Sequence, residues 1–151
     1  MTTPPRRVEV STTIRAPRER VFDAWLTPDR MARFLCAGDT HVANLEVDAR
    51  VGGAFRIVMA SARGSSDHHG RYLEICRPER LRFTWASPAT KGADTDVTVT
   101  FDSVEEGTRV TLVQVGLPDA RAVEQHQWGW RSILAKCGEE SADTTSLPAA
   151  R

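Results

Sequence analysis

Residues 118–140 read PDARAVEQHQWGWRSILAKCGEE, and the way this stretch folds decides the rest of the chain. Val123, Gln127, Trp130, Leu134 and Cys137 recur at helical spacing and form one stripe, which His126 and Ile133 widen. Pro118 precedes the helix, Asp119 suits its N-cap, and Gly138 suits the position just beyond its end. Inside it, Trp128 and Trp130 flank Gly129. At about 100° per residue, positions two apart point about 200° away from each other. Trp130 is therefore expected to face inward, as core or as the roof of a cavity. Trp128 is expected to face solvent, a loop or a partner. Glycine weakens a helix interior by about 1 kcal/mol relative to alanine. Gly129 is expected to let a strand or a short helix approach the helix backbone.

A helix with such a stripe needs a surface to bury it, and the preceding sequence supplies strands. VEVSTTIRA alternates Val8, Val10, Thr12 and Ile14 against polar neighbours. Two short helices follow. Pro17 starts the first, which turns Val21, Phe22, Trp25 and Leu26 to one face. PDRMARFL starts the second, with Met31, Phe34 and Leu35 inward. Six strands come next: THVANLEVD, AFRIVMA, HGRYLEIC, RLRFTWAS, TDVTVTFDSV and TRVTLVQVG. Short turns such as ARVGG, RPE and EEG join several of them, and parallel pairing would need long crossovers. The prediction is an α+β domain of about seven antiparallel strands, curved around the long helix, with a cavity between them. It occupies residues 8–138, between a disordered tail over 1–7 and a flexible one over 139–151.

At 151 residues the chain is the size of one domain, 40% hydrophobic and 26% charged. Twenty basic residues balance twenty acidic ones, which argues against a nucleic-acid or anionic-membrane binder. The basic residues other than Lys91 and Lys136 are arginines, the mark of a GC-rich, bacterial gene. No apolar run reaches the roughly 20 residues of a membrane span, and the N-terminus does not read as a secretory signal. Cys36, Cys76 and Cys137 are odd in number and far apart, which suits a reduced, cytoplasmic protein.

Strand parity nominates the residues that face the helix. Phe55, Ile57 and Met59 share a face; Leu81, Phe83 and Trp85 align, as do Val97, Val99 and Phe101, and Val110, Leu112 and Gln114. Tyr72 and Glu74 share a face opposite Leu73 and Ile75, unless a bulge at Gly53 or Gly70 reverses the parity. With the two short helices and the long one, the candidate cavity residues are Trp25, Phe34, Phe55, Ile57, Met59, Tyr72, Phe83, Trp85, Val99, Gln114, His126 and Trp130. Each reads either as ligand wall or as ordinary core. Tyr72, Gln114 and His126 are the informative ones, because a buried polar group needs a partner. A histidine and a tyrosine in one pocket could do general acid–base work. Access is expected near the short helices and the loops over 64–70 and 86–94.

No metal or other cofactor is expected. Asp67, His68 and His69 lie together, but adjacent strand residues point to opposite faces and no second ligand cluster completes a site. DARVGGAF lacks the Gly-Lys-Ser/Thr of a phosphate loop, and no nucleophile elbow or reactive-cysteine signature is present. No catalytic residue is assigned, and the sequence favours binding over turnover.

Several strings in order carry a family resemblance: AWLTPDRMARFL, VGGAFRIVM, GRYLEICRPERLRFTW, VTVTFDSVEEGTRVTLVQVGLP and HQWGWRSILAKC. Together they resemble the Activator of Hsp90 ATPase homologue family, within the START-like or Bet v 1-like (SRPBCC) superfamily. The resemblance implies a helix-grip fold with an internal pocket. It implies a partner too: a hydrophobic, lipid-like or amphipathic small molecule, or a chaperone whose ATPase the protein stimulates as a stress-response module. A polyketide cyclase-like enzyme is the third reading. The sequence leaves monomer and homodimer both open.

Overall fold

The computed structural model describes residues 6–146, and their side chains as far as 142. Seven strands make one antiparallel sheet: β1 (Arg7–Ile14), β2 (His41–Val47), β3 (Ala54–Ser61), β4 (Gly64–Cys76), β5 (Arg80–Trp85), β6 (Thr95–Val104) and β7 (Gly107–Val115). Their spatial order is β1-β7-β6-β5-β4-β3-β2. Between β1 and β2 come α1 (Arg18–Ala24) and α2 (Pro28–Phe34), and the chain closes with α3 (Ala120–Ser146). This is the α+β helix-grip arrangement that the sequence predicts. From β2 to β7 each strand is hydrogen-bonded to the next in the chain, and β1 pairs with β7, which leaves β1 and β2 at the two edges.

The alternating pattern explains the burial. Phe55, Ile57 and Met59, then Leu81, Phe83 and Trp85, then Val97, Val99 and Phe101, then Val110, Leu112 and Gln114 are all buried on the face toward α3. Asp119 caps α3: its Oδ1 accepts from the Ala122 N–H at 2.9 Å. Ala122, His126, Trp130, Ile133, Leu134 and Cys137 are the buried stripe, with Val123 and Gln127 half-buried at its flank. The stripe is thus rotated slightly from the one the spacing suggests.

Three details differ from expectation. First, the residues 64–70 are strand, not loop; β4 begins at Gly64 and pairs with β3 in unbroken register. Second, the parity reversal in β4 sits at Leu73, not at a glycine. Tyr72 faces Phe83 across the pair, and then Glu74 faces Arg82. The extra residue turns Glu74 outward, where it meets Arg80 at 2.6 Å, and Ile75 inward with Tyr72. Third, α3 does not stop at Gly138 but runs on to Ser146. Gly138 faces β1 instead; a Cβ there would lie 3.6 Å from Ile14 Cγ1. The two turns beyond it are held by burial of Ser141 and by Glu140, whose carboxylate takes two bonds from Arg30, at 2.7 and 2.8 Å. The segment expected to be flexible from 139 onward is therefore helical to Ser146. Residues 1–5 and 147–151 lie outside the described residues, and β1 already begins at Arg7.

Gly70 shows how tightly the sheet is curved. A Cβ at this position would lie 1.9 Å from the Thr84 carbonyl oxygen and 2.7 Å from Phe55 Cζ. Gly70→Ala is therefore expected to destabilise the protein by about 1–3 kcal/mol, the usual cost of overpacking. Urea unfolding checks it, and a midpoint equal to that of the unsubstituted protein would refute the crowding argument.

Candidate ligand cavity

The groove over the concave face of the sheet has two halves, an inner one under the α1–α2 region and an outer one beside α3. The inner half, bounded by Trp25, Met31, Leu35, Phe55, Ile57, Tyr72, Leu81, Phe83 and Trp85, retains only about 10 Å³. That is room for at most one water. Phe55 fills it, with ring centroids 5.3 Å from Tyr72, 5.6 Å from Phe83 and 6.0 Å from Trp85. The outer half is open, with a cavity of about 500 Å³. Met59, His68 and Trp85 come from the sheet, His126, Trp128, Gly129, Trp130 and Ile133 from α3, and Ala37 from the segment after α2. Trp85 borders both halves and is the partition between them.

A chain of buried hydrogen bonds fixes the roof. Trp130 Nε1–H donates to Gln114 Oε1 at 2.7 Å. The Gln114 amide donates to Thr95 Oγ1 at 2.8 Å, and the Thr95 hydroxyl donates to the Trp85 carbonyl at 2.6 Å. Helix, β7, β6 and β5 are thereby joined through satisfied polar groups, which is why a glutamine is tolerated in the core. The Trp130 ring ends 4.8 Å from Trp85, centroid to centroid. Trp128, by contrast, is 62% exposed and lies across Gly38, where any Cβ would strike its ring at 2.3 Å. Lys136 and Ser132 hold that segment to α3: Lys136 Nζ donates to the Cys36 and Gly38 carbonyls, and Ser132 Oγ accepts from the Gly38 N–H. Gly129 thus faces this segment, where a Cβ would lie 3.5 Å from Ala37 Cβ, and not a strand or a short helix.

Two imidazoles reach the cavity. His126 is 8% exposed, and its Nδ1 meets the Ala122 carbonyl at 2.7 Å. A carbonyl only accepts, so Nδ1 carries the proton and Nε2 keeps its lone pair. Burial pushes the His126 pKa below the ordinary 6.5. His68 lies with its ring 5.3 Å from Trp85, and burial, with a smaller contribution from His126, pushes its pKa down too. In both, burial favours the neutral imidazole. His68 Nδ1 and Trp85 Nε1 are buried without a hydrogen-bond partner. Next to the cavity, sharing His68, Ser87, Ala89 and Gln125 with it, is a more polar depression of about 570 Å³ that also holds Lys91, Asp119 and Arg121. Lys91 Nζ lies 2.8 Å from Asp119 Oδ2 and holds that carboxyl below its ordinary pKa.

Residues 15–139 match the family described as Activator of Hsp90 ATPase homolog 1-like protein. The chain belongs to the AHSA1 family. A protein of Chromobacterium violaceum, CV1439, has a solved structure similar to this one, with a TM-score of 0.83 and 30% identity over 90% of this chain and 96% of that one. An AHSA1-like protein of Aeromonas hydrophila is similar at a TM-score of 0.74 and 27% identity, over 96% of this chain and 97% of that one. Protein NE0264 of Nitrosomonas europaea shares the fold, at a TM-score of 0.78 and 18% identity over 93% and 97% of the two chains. No curated protein matches.

In this AHSA1-family chain the expected cavity residues fall into three groups. Met59, Trp85, His126 and Trp130 border the open cavity. Trp25, Phe55, Ile57, Tyr72 and Phe83 border the filled inner half. Phe34, Val99 and Gln114 are core residues that border neither. Tyr72 and His126 are therefore on opposite sides of Trp85, and the acid–base pair suggested by the sequence is not assembled. Burial also raises the Tyr72 phenol well above its ordinary pKa. His68, Ser87, Trp128 and Ile133 border the cavity without having been nominated. Alternation back from Tyr72 through Gly70 would have turned His68 inward, had SSDHHG been taken as strand. His69, its neighbour, is exposed on the other face. Among the described residues no three His, Cys, Asp or Glu side chains are placed to hold a metal, and no helix is long and apolar enough to cross a membrane.

Proposed function

We propose that this protein binds an apolar or amphipathic small molecule in the outer cavity. One contrast carries the reading. The inner half of the groove is packed solid by its own aromatics, whereas the outer half keeps about 500 Å³ between Trp85, Trp130 and Trp128. Apolar walls with a few convergent polar groups are the composition of a small-molecule site. The ligand body would lie against the indoles, Met59 and Ile133. Its polar end would reach His68, His126 or Ser87, or pass into the adjoining depression beside Lys91 and Arg121. Both partitioning into the cavity and indole contact follow from burial of apolar surface, at about 25 cal/mol per Å². The family description also names activation of an Hsp90 ATPase. The exposed large apolar side chains among the described residues, Val51, Leu73, Val115 and Trp128, are dispersed over the β2–β3 turn, β4, β7 and α3 and single out no docking face.

The neutral fluorophore N-phenyl-1-naphthylamine tests the reading. It is expected to bind one per chain and to brighten. Trp128→Ala is expected to weaken binding about tenfold, the value of about 55 Å² of apolar contact. Its effect on unfolding is expected to stay within about 0.5 kcal/mol, because the side chain is largely exposed. Native mass spectrometry of freshly purified protein would show whether a molecule is carried through purification. No uptake of the fluorophore, or equal affinity in Trp128→Ala, overturns the assignment.

A further inference from the structure

We propose that His126 Nε2 is a general base, and that the cavity removes a proton from the carbon of a planar, conjugated substrate lying against the indoles that line it. The inference rests on the reading that the cavity admits an apolar small molecule, and goes beyond it to a reaction.

Three observations point the same way. The Nδ1–H bond to the Ala122 carbonyl, 2.7 Å long, fixes the tautomer and aims the lone pair of Nε2 away from the helix backbone. Among the described residues Nε2 has no hydrogen-bond partner, although His126 is 8% exposed. And the cavity into which it opens is walled largely by Trp85, Trp130, Met59 and Ile133, with room for a small molecule. A base oriented by a hydrogen bond through its other nitrogen and flanked by aromatic walls can accept a proton from a carbon acid that lies against them. The neighbouring His68 imidazole, with an unpartnered Nδ1, and the unpartnered Trp85 Nε1–H are further polar atoms with which no protein group is bonded.

5-Nitrobenzisoxazole is the probe, because its opening needs one base and no co-reactant. Nε2 takes the hydrogen on C3 as a proton. The C–H electron pair becomes the third carbon–nitrogen bond, the N–O bond breaks, and oxygen leaves with the N–O bonding pair as a nitrophenolate. The imidazolium then returns its proton to water. The coloured product is read by absorbance.

The expected kcat/KM lies about 100-fold above the second-order rate constant of free imidazole, the lower end of what a positioned base contributes. His126→Phe is expected to lose this excess, with circular dichroism and the urea midpoint showing that the variant is folded. Should that variant not fold, the pH profile of the unsubstituted protein decides. The groups around His126 are His68 from β4, Glu124 and Arg121 on its own helix, and Lys91 and Asp119 across the depression. Activity through His126 falls on acidification with an apparent pKa below 6.5, since burial depresses it. A rate that climbs toward pH 10 would assign a lysine and overturn the proposal, as would a rate no greater than that of imidazole. If the benzisoxazole displaces the naphthylamine but does not react, the base is refuted and the binding reading stands. If neither compound binds, both fail.

Discussion

Trp130→Ala is expected to lower stability by about 4 kcal/mol, within the range for deleting a buried tryptophan side chain. Two losses combine. The indole is 2% exposed and packs on Trp85, so its removal opens a void that α3 and the sheet cannot close without shifting. Gln114 Oε1, which accepts the indole N–H at 2.7 Å, is left buried without a donor. Trp130→Phe separates the two, since it keeps most of the ring volume and strands the amide oxygen alone. About 1–3 kcal/mol is expected for it. Urea denaturation of the three proteins measures both. Equal midpoints for Trp130→Phe and the unsubstituted chain would show that Gln114 finds another partner. A Trp130→Ala protein that kept full stability and full naphthylamine affinity would deny the residue either role.

Arg30→Ala is expected to cost about 3 kcal/mol or more, because it leaves a carboxylate buried against the wrong neighbours. Glu140 is 4% exposed in its side chain and takes Arg30 Nε and Nη2 as a fork, at 2.7 and 2.8 Å. Arg33 stands 3.9 Å away and cannot replace that geometry. Arg30 Nη1 also donates to the Arg20 carbonyl at 2.9 Å, so one guanidinium joins α1, α2 and the last turns of α3. The pair raises the Arg30 pKa further, so no accessible pH discharges it from the basic side. Glu140→Gln, which retains the oxygen and loses the charge, is expected to cost less than Arg30→Ala. If thermal unfolding gave Arg30→Ala the same midpoint as the unsubstituted protein, α3 beyond Gly138 would not depend on this contact.

That ion pair also shows where sequence reading stops. Gly138 followed by EESADTTS has the local character of a helix end: a residue poor in helix propensity, then mostly small polar ones from Ser141 onward. Those preferences are worth about 1 kcal/mol or less per residue. A buried two-point ion pair contributed from residue 30, on another helix, outweighs them. Nothing near Gly138 in the chain signals it. The β4 bulge is a similar case. Alternation puts Tyr72 and Glu74 on one face, and the apolar pairing of Tyr72 with Phe83 and Ile75 with Leu81 requires one residue too many between them. Leu73 is extruded as a result, and only the partner strand determines where. His68 was within reach of the same alternation, but Gly, Ser and Asp around it suggested a loop.

The period of the apolar residues, two in the strands and near four in the helix, depends on neighbours along the chain, and it was enough for the element order, the antiparallel sheet, the gripped helix and the inward direction of Trp130. Which half of the groove is solid and which is open depends on distances between residues far apart in sequence. Phe55, Tyr72 and Phe83 close the inner half because the sheet curves tightly at Gly70, where β4 approaches β5 too closely for a Cβ. The outer half stays open because Trp130 is tied to Gln114 as a buried wall and Trp128 lies over Gly38 at the rim. Side-chain identity sets what each residue prefers; only the tertiary distances decide whether a ring fills space or borders it.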